Sequence, residues 1–397
     1  MGVLLLGLVV AYPYMLAQVG GAFDYQVDRA ALSPAAEALI ENSFADVDPA
    51  RLRDYHVHVV GVDSGSSGTW INPKLMSWRD PFHKVKGDIY FSSCGILDRA
   101  RADTEYIKRF QRLSQGLPGR FHLLAFDYHY NNAGQRDPDH SEFFTPNKYV
   151  VMLSQETPQR FVPVISIHPY RADAVERLKY WANKGIRYVK WLPNAQGMNA
   201  TDVRAVSFFN AMREHNMVLL THVGEEQAVE AKEAQALGDP LLFKAALDAG
   251  VKVIMAHSAS LGDDDDLEHG GRKSSFDLFL SLMERPQYRG LLFGELSAMT
   301  QFNRLPRPLL TLLRRADLHG RLVNGSDYPL PAVNMLIQTR ALARHKMINE
   351  QQRVLLNEIY RYNPLLFDYV VKRTLISPES RKGFPPQVFM THPGLPH

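Results

Sequence analysis

Asp54-Tyr55-His56-Val57-His58-Val59-Val60 sets two histidines two apart in an apolar, β-branched run. Successive side chains on a strand point to opposite faces. His56 and His58 therefore share one face, while Val57 and Val59 take the other. Two imidazoles about 6–7 Å apart along one strand face can converge on a single cation. Alone, the pair is a weak signal, because a His-x-His is more often a surface or core accident. Its meaning depends on what the other strands carry.

From about residue 50 onward the chain repeats one pattern: a short apolar or β-branched run, then a longer amphipathic stretch. The runs are 55–62, 121–128, 161–167, 186–192, 217–223, 251–256, 291–296 and 322–324. After a long first interval they recur mostly every 25 to 40 residues, the length of a βα unit. Eight alternating units predict an α/β chain folded as a parallel (β/α)8 TIM barrel over residues 51–376, not an open sheet. Helices are expected at 93–117, 172–184, 201–216, 240–249, 275–285, 308–317 and 330–345. Thr201-Asp202 reads as an N-terminal cap and Gly185 as a C-terminal one. A last helical stretch, 351–373, is broken at Asn363-Pro364.

Two intervals, 63–89 after the first strand and 127–147 after the second, are too long to be plain loops. Long βα loops of such a barrel lie on its C-terminal face and shape the active site. Trp70, Trp78, His83, Tyr128 and Tyr130 are expected near the mouth. The four aspartates 263–266 read as a solvated face. The Pro-rich tail, 377–397, reads as a surface wrap or a loosely ordered end.

The expected strands end in polar residues. The third run is followed by His168, the fourth carries Lys190, the fifth His222, the sixth His257 and the seventh Glu295. The eighth runs into Asn324-Gly325-Ser326-Asp327-Tyr328-Pro329. A buried Lys, His or Asp is expensive unless paired or ligating. A lone one could be a satisfied core residue, but nearly every strand of one barrel ends in such a group. Active sites of this architecture sit at the C-terminal strand ends, so the groups read as converging on one centre. Several imidazoles with one carboxylate suit Zn²⁺ first, with Mn²⁺, Fe²⁺ or Co²⁺ as alternatives, and do not suit Mg²⁺ or Ca²⁺. His257 or Asp327 is then placed to orient a water or move its proton.

Composition bounds the rest. The chain has 397 residues, 45% of them hydrophobic and 22% charged, enough to bury a large core. The net charge of +3 forms no basic stripe, so nothing points to nucleic acid. A single cysteine, Cys94, excludes an internal disulfide framework and a Cys-rich zinc site, and reads as a small buried hydrophobe. Residues 2–23 carry no charged side chain, and an acidic extension follows at 24–50. The first 23 residues read as a membrane anchor or signal-like segment, as an apolar helix packed on the domain or a partner, or as a cleaved signal. Membrane association or export therefore rests on that segment alone. Without it the location would be cytoplasmic.

Taken in order, His-x-His on the first strand, Lys190, His222, His257 and Gly-Ser-Asp-Tyr-Pro on the eighth resemble the amidohydrolase superfamily. The Asn324–Pro329 form is followed by the stretch Ile359-Tyr360-Arg361-Tyr362-Asn363-Pro364-Leu365-Leu366-Phe367. Together they look most like the amidohydrolase-related (amidohydrolase 2) metal-dependent hydrolases, which include decarboxylases. The resemblance spans roughly residues 52–370 and implies metal ligands His56, His58, His222 and Asp327. His257 then either binds a second metal or contacts substrate and water. Lys190 is either a carboxylated bridge between two cations or an unmodified ammonium. Arg171 either binds a substrate carboxylate or opens a helix. Trp191, Tyr128 and Trp70 are further substrate-side candidates. The implied reaction is attack of a metal-activated water on an amide, ester or lactone carbonyl of a small molecule, with Asp327 moving the proton. The alternative is metal-dependent, non-oxidative decarboxylation. A third reading, a non-catalytic ligand-binding barrel, fits the retained ligand types poorly. Barrels of this kind often form homodimers.

Overall fold

The computed structural model describes residues 11–21, 29–96 and 98–397. Its centre is eight parallel strands in chain order: β1 Arg53–His58, β2 Arg120–Leu124, β3 Phe161–Ile165, β4 Tyr188–Trp191, β5 Val218–Thr221, β6 Lys252–Met255, β7 Leu292–Glu295 and β8 Leu322–Val323. Each falls on one of the eight expected runs. The ring closes where the Tyr55 amide donates to Asn324 O (2.9 Å), the Asp327 amide to His56 O (2.8 Å) and the His58 amide to Tyr328 O (2.9 Å). Alternation then sorts the side chains. Leu124, Val164, Tyr188, Leu220, Ile254 and Phe293 fill the barrel. Val57, Leu123, Ile165, Val189, Leu219 and Val253 pack outward with the helices.

β1 departs from strict alternation. Its register against β2 slips between Asp54 and Val57. Tyr55 joins the inner cluster although Val57, two residues on, is outside. The extra residue lets Tyr55 fill the lower barrel while His56 and His58 still share the mouth.

The long intervals hold more structure than expected. Residues 63–89 include most of a helix, Pro81–Ser93, opened by the Asp80 side chain and a proline in its first turn. The expected helix 93–117 is in fact Ala102–Ser114. Gly95, at a φ of 63°, breaks it from the preceding one. The stretch 330–345 is α-helical only over Thr339–Arg344, after 3-10 turns at Leu330–Ala332 and Asn334–Leu336, because Pro329 and Pro331 remove amide donors from its start. The two long loops are joined by a short antiparallel pair, Trp70–Ile71 with Phe143–Phe144.

The tail is not a loose wrap. Leu395 is buried in the base of the barrel with Tyr55 and Phe293. The Tyr188 hydroxyl donates to Pro396 O at 2.7 Å. At the other terminus, residues 2–10 and 22–23 of the apolar segment lie outside the described residues. Residues 11–21 form a short helix against Pro81–Ser93, with the Tyr12 hydroxyl donating to Asp88 at 2.7 Å. Among the described residues no helix is long and apolar enough to cross a membrane.

Candidate active site

β1 and β8 supply the centre. Asp54 Oδ1 accepts from the amides of His56 (3.0 Å) and Ser326 (2.8 Å), so one buried carboxylate ties β1 to the segment that follows β8. Asp327 follows in the left-handed region, at a φ of 60°. Such a conformation costs a non-glycine residue on the order of 1–2 kcal/mol and persists only where the surroundings fix it. Gly325 is required by space: a Cβ there would meet Glu295 Oε1 at 1.7 Å.

Three ligand-type atoms then meet. His56 Nε2 and His58 Nε2 are 3.2 Å apart. Asp327 Oδ1 lies 3.3 Å from the first and 3.2 Å from the second. The edge of a tetrahedron around a cation with bonds of about 2.0 Å is roughly 3.3 Å. The triangle therefore has the size of one face of a metal's coordination shell. His56 and Asp327 are buried and His58 is partly so, and Asp327 is held below the usual carboxylate range by His56 and His58 against the opposing effect of burial. The residues fit a divalent cation.

The other strands arrange the rings around this triangle. Glu295 Oε2 lies 3.4 Å from His56 Nδ1. Ser297 Oγ lies 2.7 Å from His257 Nδ1 and donates to Glu295 Oε2 at 2.5 Å. Glu226 Oε2 lies 3.2 Å from His222 Nδ1. Each acceptor claims the Nδ1 side of its ring, which leaves the Nε2 lone pair for the interior. His222 Nε2 is buried and has no hydrogen-bond partner, as expected of a ligand nitrogen. Burial lowers the basicity of His56, His222 and His257, which favours their neutral form, the form that ligates.

The remaining expected residues divide. Lys190 Nζ lies 3.2 Å from His56 Nε2, and burial pulls its pKa down to about 8. His257 Nε2 is 3.8 Å from Asp327 Oδ2. His222 stands outside the triangle, its ring 5.2 Å from that of His257. Trp191 is not at the site. Its neighbour Lys190 points inward, so alternation turns the indole outward between Phe208 and Phe209, where Nε1 donates to Ile167 O at 2.9 Å. Arg171 does not line the cavity either; it pairs with Asp173 at 2.9 Å and contacts Tyr130. Tyr128 stacks on Phe144 at 4.2 Å and meets Trp70 at 5.5 Å, which places both on the outer side of the loop pair. Ile71 and Phe143 of that pair face the cavity instead. His168 is a satisfied core histidine, 2.8 Å from Gln196 O. Cys94 is buried, as expected, and burial pushes its thiol up to about 12.

A cavity of about 500 Å³ stands over the centre. Its floor holds His56, His58, Lys190, His222, His257 and Asp327, and its walls are mainly aliphatic and aromatic. Arg304, after β7, also lines it. This guanidinium is buried, donates to Ser260 Oγ at 2.9 Å, leaves Nε without a partner and makes no ion pair among the described residues. Nothing in the spacing of the sequence marked Arg304 or Ser297. Glu226 had a signal, since it lies four residues after His222.

The chain belongs to the amidohydrolase family, whose family model matches residues 54–364. That family is one of metal-dependent enzymes. No curated protein matches the chain. Among solved structures it is similar to an uncharacterised TIM-barrel protein from Bordetella bronchiseptica, with 13% identity, a TM-score of 0.46, and coverage of 77% of this chain and 98% of that one. A probable 2-pyrone-4,6-dicarboxylic acid hydrolase from Acinetobacter baumannii shares 13% identity at a TM-score of 0.43, over 83% of this chain and 98% of that one. A manganese-bound 5-carboxyvanillate decarboxylase from Novosphingobium aromaticivorans shares 11% identity at 0.44, over 77% and 93%.

Proposed function

We propose that this chain is a hydrolase that uses one divalent cation, zinc first and manganese or iron as alternatives, to open an amide, ester or lactone of a small molecule. The observation that carries it is the triangle of His56 Nε2, His58 Nε2 and Asp327 Oδ1, with edges of 3.2–3.3 Å. His56, His58 and Asp327 would hold the cation, with His222 offering its unpartnered Nε2. A bound cation supplies Lewis-acid polarisation of a carbonyl and a water acidic enough to react near pH 7.

The chain's own residues do the rest. Asp327, kept ionised, takes the proton of the attacking water on its outer oxygen and returns it to the leaving group. His257, 3.8 Å from that oxygen and held by Ser297 and Glu295, orients the water. Arg304 presents a desolvated cation to a substrate oxygen that gains charge. Lys190 is read as an unmodified amine beside His56, since one ligand triangle is already complete without a bridge.

Metal analysis of purified protein tests this reading. About one equivalent is expected, unchanged by Lys190→Ala. Two equivalents lost together in that variant would establish the bridged pair instead, and less than about half an equivalent after metal-supplemented expression would count against any metal enzyme. The unpaired, buried Arg304 also suits a substrate carboxylate, which favours decarboxylation as the second reading. A substrate screen that follows CO₂ release against acid release separates the two.

A further inference from the structure

The wall of the cavity does not stop at the protein surface. Leu75, Phe82, Val85, Ile89, Val333 and Met335 line it. Two of these continue onto the outside: Phe82 is 88% exposed and Met335 49%. Around them stand Trp78 at 61%, Tyr14 at 73% and Met15 at 55%. These residues form one neighbourhood. The Tyr12 ring meets Trp78 at 5.7 Å, and Asn334 Nδ2 donates to Ala17 O at 3.4 Å. The short helix at 11–21 thus bridges the two sides of the mouth. It carries no charged residue, and the sequence leading into it, residues 2–10, carries none either.

Large exposed aromatics and methionines gathered at one opening call for a partner. Aromatics with an apolar body and a polar tip favour the membrane–water interface. Lys74 and Arg79 are exposed on the same segment and make no ion pair among the described residues, so they complement anionic headgroups. Asp80, beside them, is taken up by His83 at 2.8 Å. A protein seated here would stopper the cavity, whereas a fluid bilayer would leave its mouth open to small apolar molecules.

We propose that this rim is an interfacial docking surface. It seats on the headgroup–acyl boundary of a phospholipid bilayer that contains anionic lipid, and the cavity receives an apolar-bodied substrate from that layer. The docking stands on the surface alone; the delivery rests on the hydrolase reading above.

Flotation of the full chain with vesicles of phosphatidylcholine, with and without phosphatidylserine, is the test. The chain is expected to float, more strongly with phosphatidylserine. A Trp78→Ser/Phe82→Ser/Met335→Ser variant should lose at least about tenfold in partition. Tryptophan emission of the full chain should shift to the blue on vesicles, and Trp78→Phe, a milder change, should lose that shift. A chain that stays in solution, or a triple variant that floats equally well, overturns the docking. For delivery, the triple variant should slow turnover of a vesicle-borne long-chain ester more than that of a short soluble ester; equal slowing overturns it. Flotation without turnover of either ester would sink the hydrolase reading and leave the docking in place.

Discussion

The proposed reaction gives Asp327 two jobs at one address, and its two oxygens divide them. Oδ1 closes the triangle with His56 and His58, while Oδ2 faces His257 at 3.8 Å. Asp327→Asn keeps the shape but loses the charge and the proton acceptor. Turnover is expected to fall by roughly 10²–10⁴, with the circular dichroism spectrum retained, and a steady-state assay beside that spectrum checks it. In the proposed reaction Arg304 acts differently, because it would meet the substrate rather than the water. Arg304→Gln should reduce kcat/KM by roughly 10- to 150-fold for substrates that carry an anionic oxygen, and less for neutral esters of the same size. Equal losses with the circular dichroism spectrum retained would mean that Arg304 meets only the oxygen that gains charge, and loss of that spectrum would mean that it supports the fold.

Whole elements set these side chains in place from a distance. Asn363 ends one helix, Glu350–Tyr362, and caps the next, Pro364–Thr374, by accepting from the amides of Leu365 (3.0 Å) and Leu366 (2.9 Å). That second helix carries buried Lys372, whose ammonium donates to Gly325 O and to Asp368, both at 2.6 Å. The Asn-Pro-Leu-Leu-Phe stretch therefore props the loop that presents Asp327. At the opposite end of the barrel the C-terminal tail plugs the base. Leu395→Ala removes a side chain buried there and should cost roughly 2–3 kcal/mol of unfolding free energy, with kcat unchanged. Urea unfolding together with an assay tests this.

Across the molecule, buried carboxylates give stability a pH dependence of calculable sign. Asp239 is buried, and its pKa is pushed up to about 7 by burial first and then by Asp264, Asp265 and Asp266. In the unfolded chain it titrates near 3.9. Between those values the folded chain holds a proton that the unfolded chain has released, so stability falls as pH rises through that window and levels off above it. Asp239→Asn keeps an oxygen for the Leu241 amide, which the aspartate now accepts at 2.8 Å, and removes the titration. The Tm of the variant should fall less than that of the parent between about pH 4 and 7. Thermal scans across that range decide the matter, and parallel curves would show that Asp239 does not titrate there.

The fold was legible because its signal is periodic. Eight apolar or β-branched runs at βα spacing, with His, Lys, Glu or Asp at most of their ends, predict a barrel with a polar mouth. Alternation put His56 and His58 on one face, and the barrel architecture directed that face and the strand end with Lys190 to one centre. The same rule, applied one residue further, would have turned Trp191 outward. Some features have no local signature. The bulge that frees Tyr55 for the lower barrel arises from pairing with β2. The burial of Leu395 depends on an opening formed by all eight strands. Arg304 is singled out only once the cavity exists and its guanidinium is found in it without an ion-pair partner. The amino-acid order fixed which groups line the strand ends. Closure of the barrel decided their spacing, and so which three of them stand one coordination edge apart.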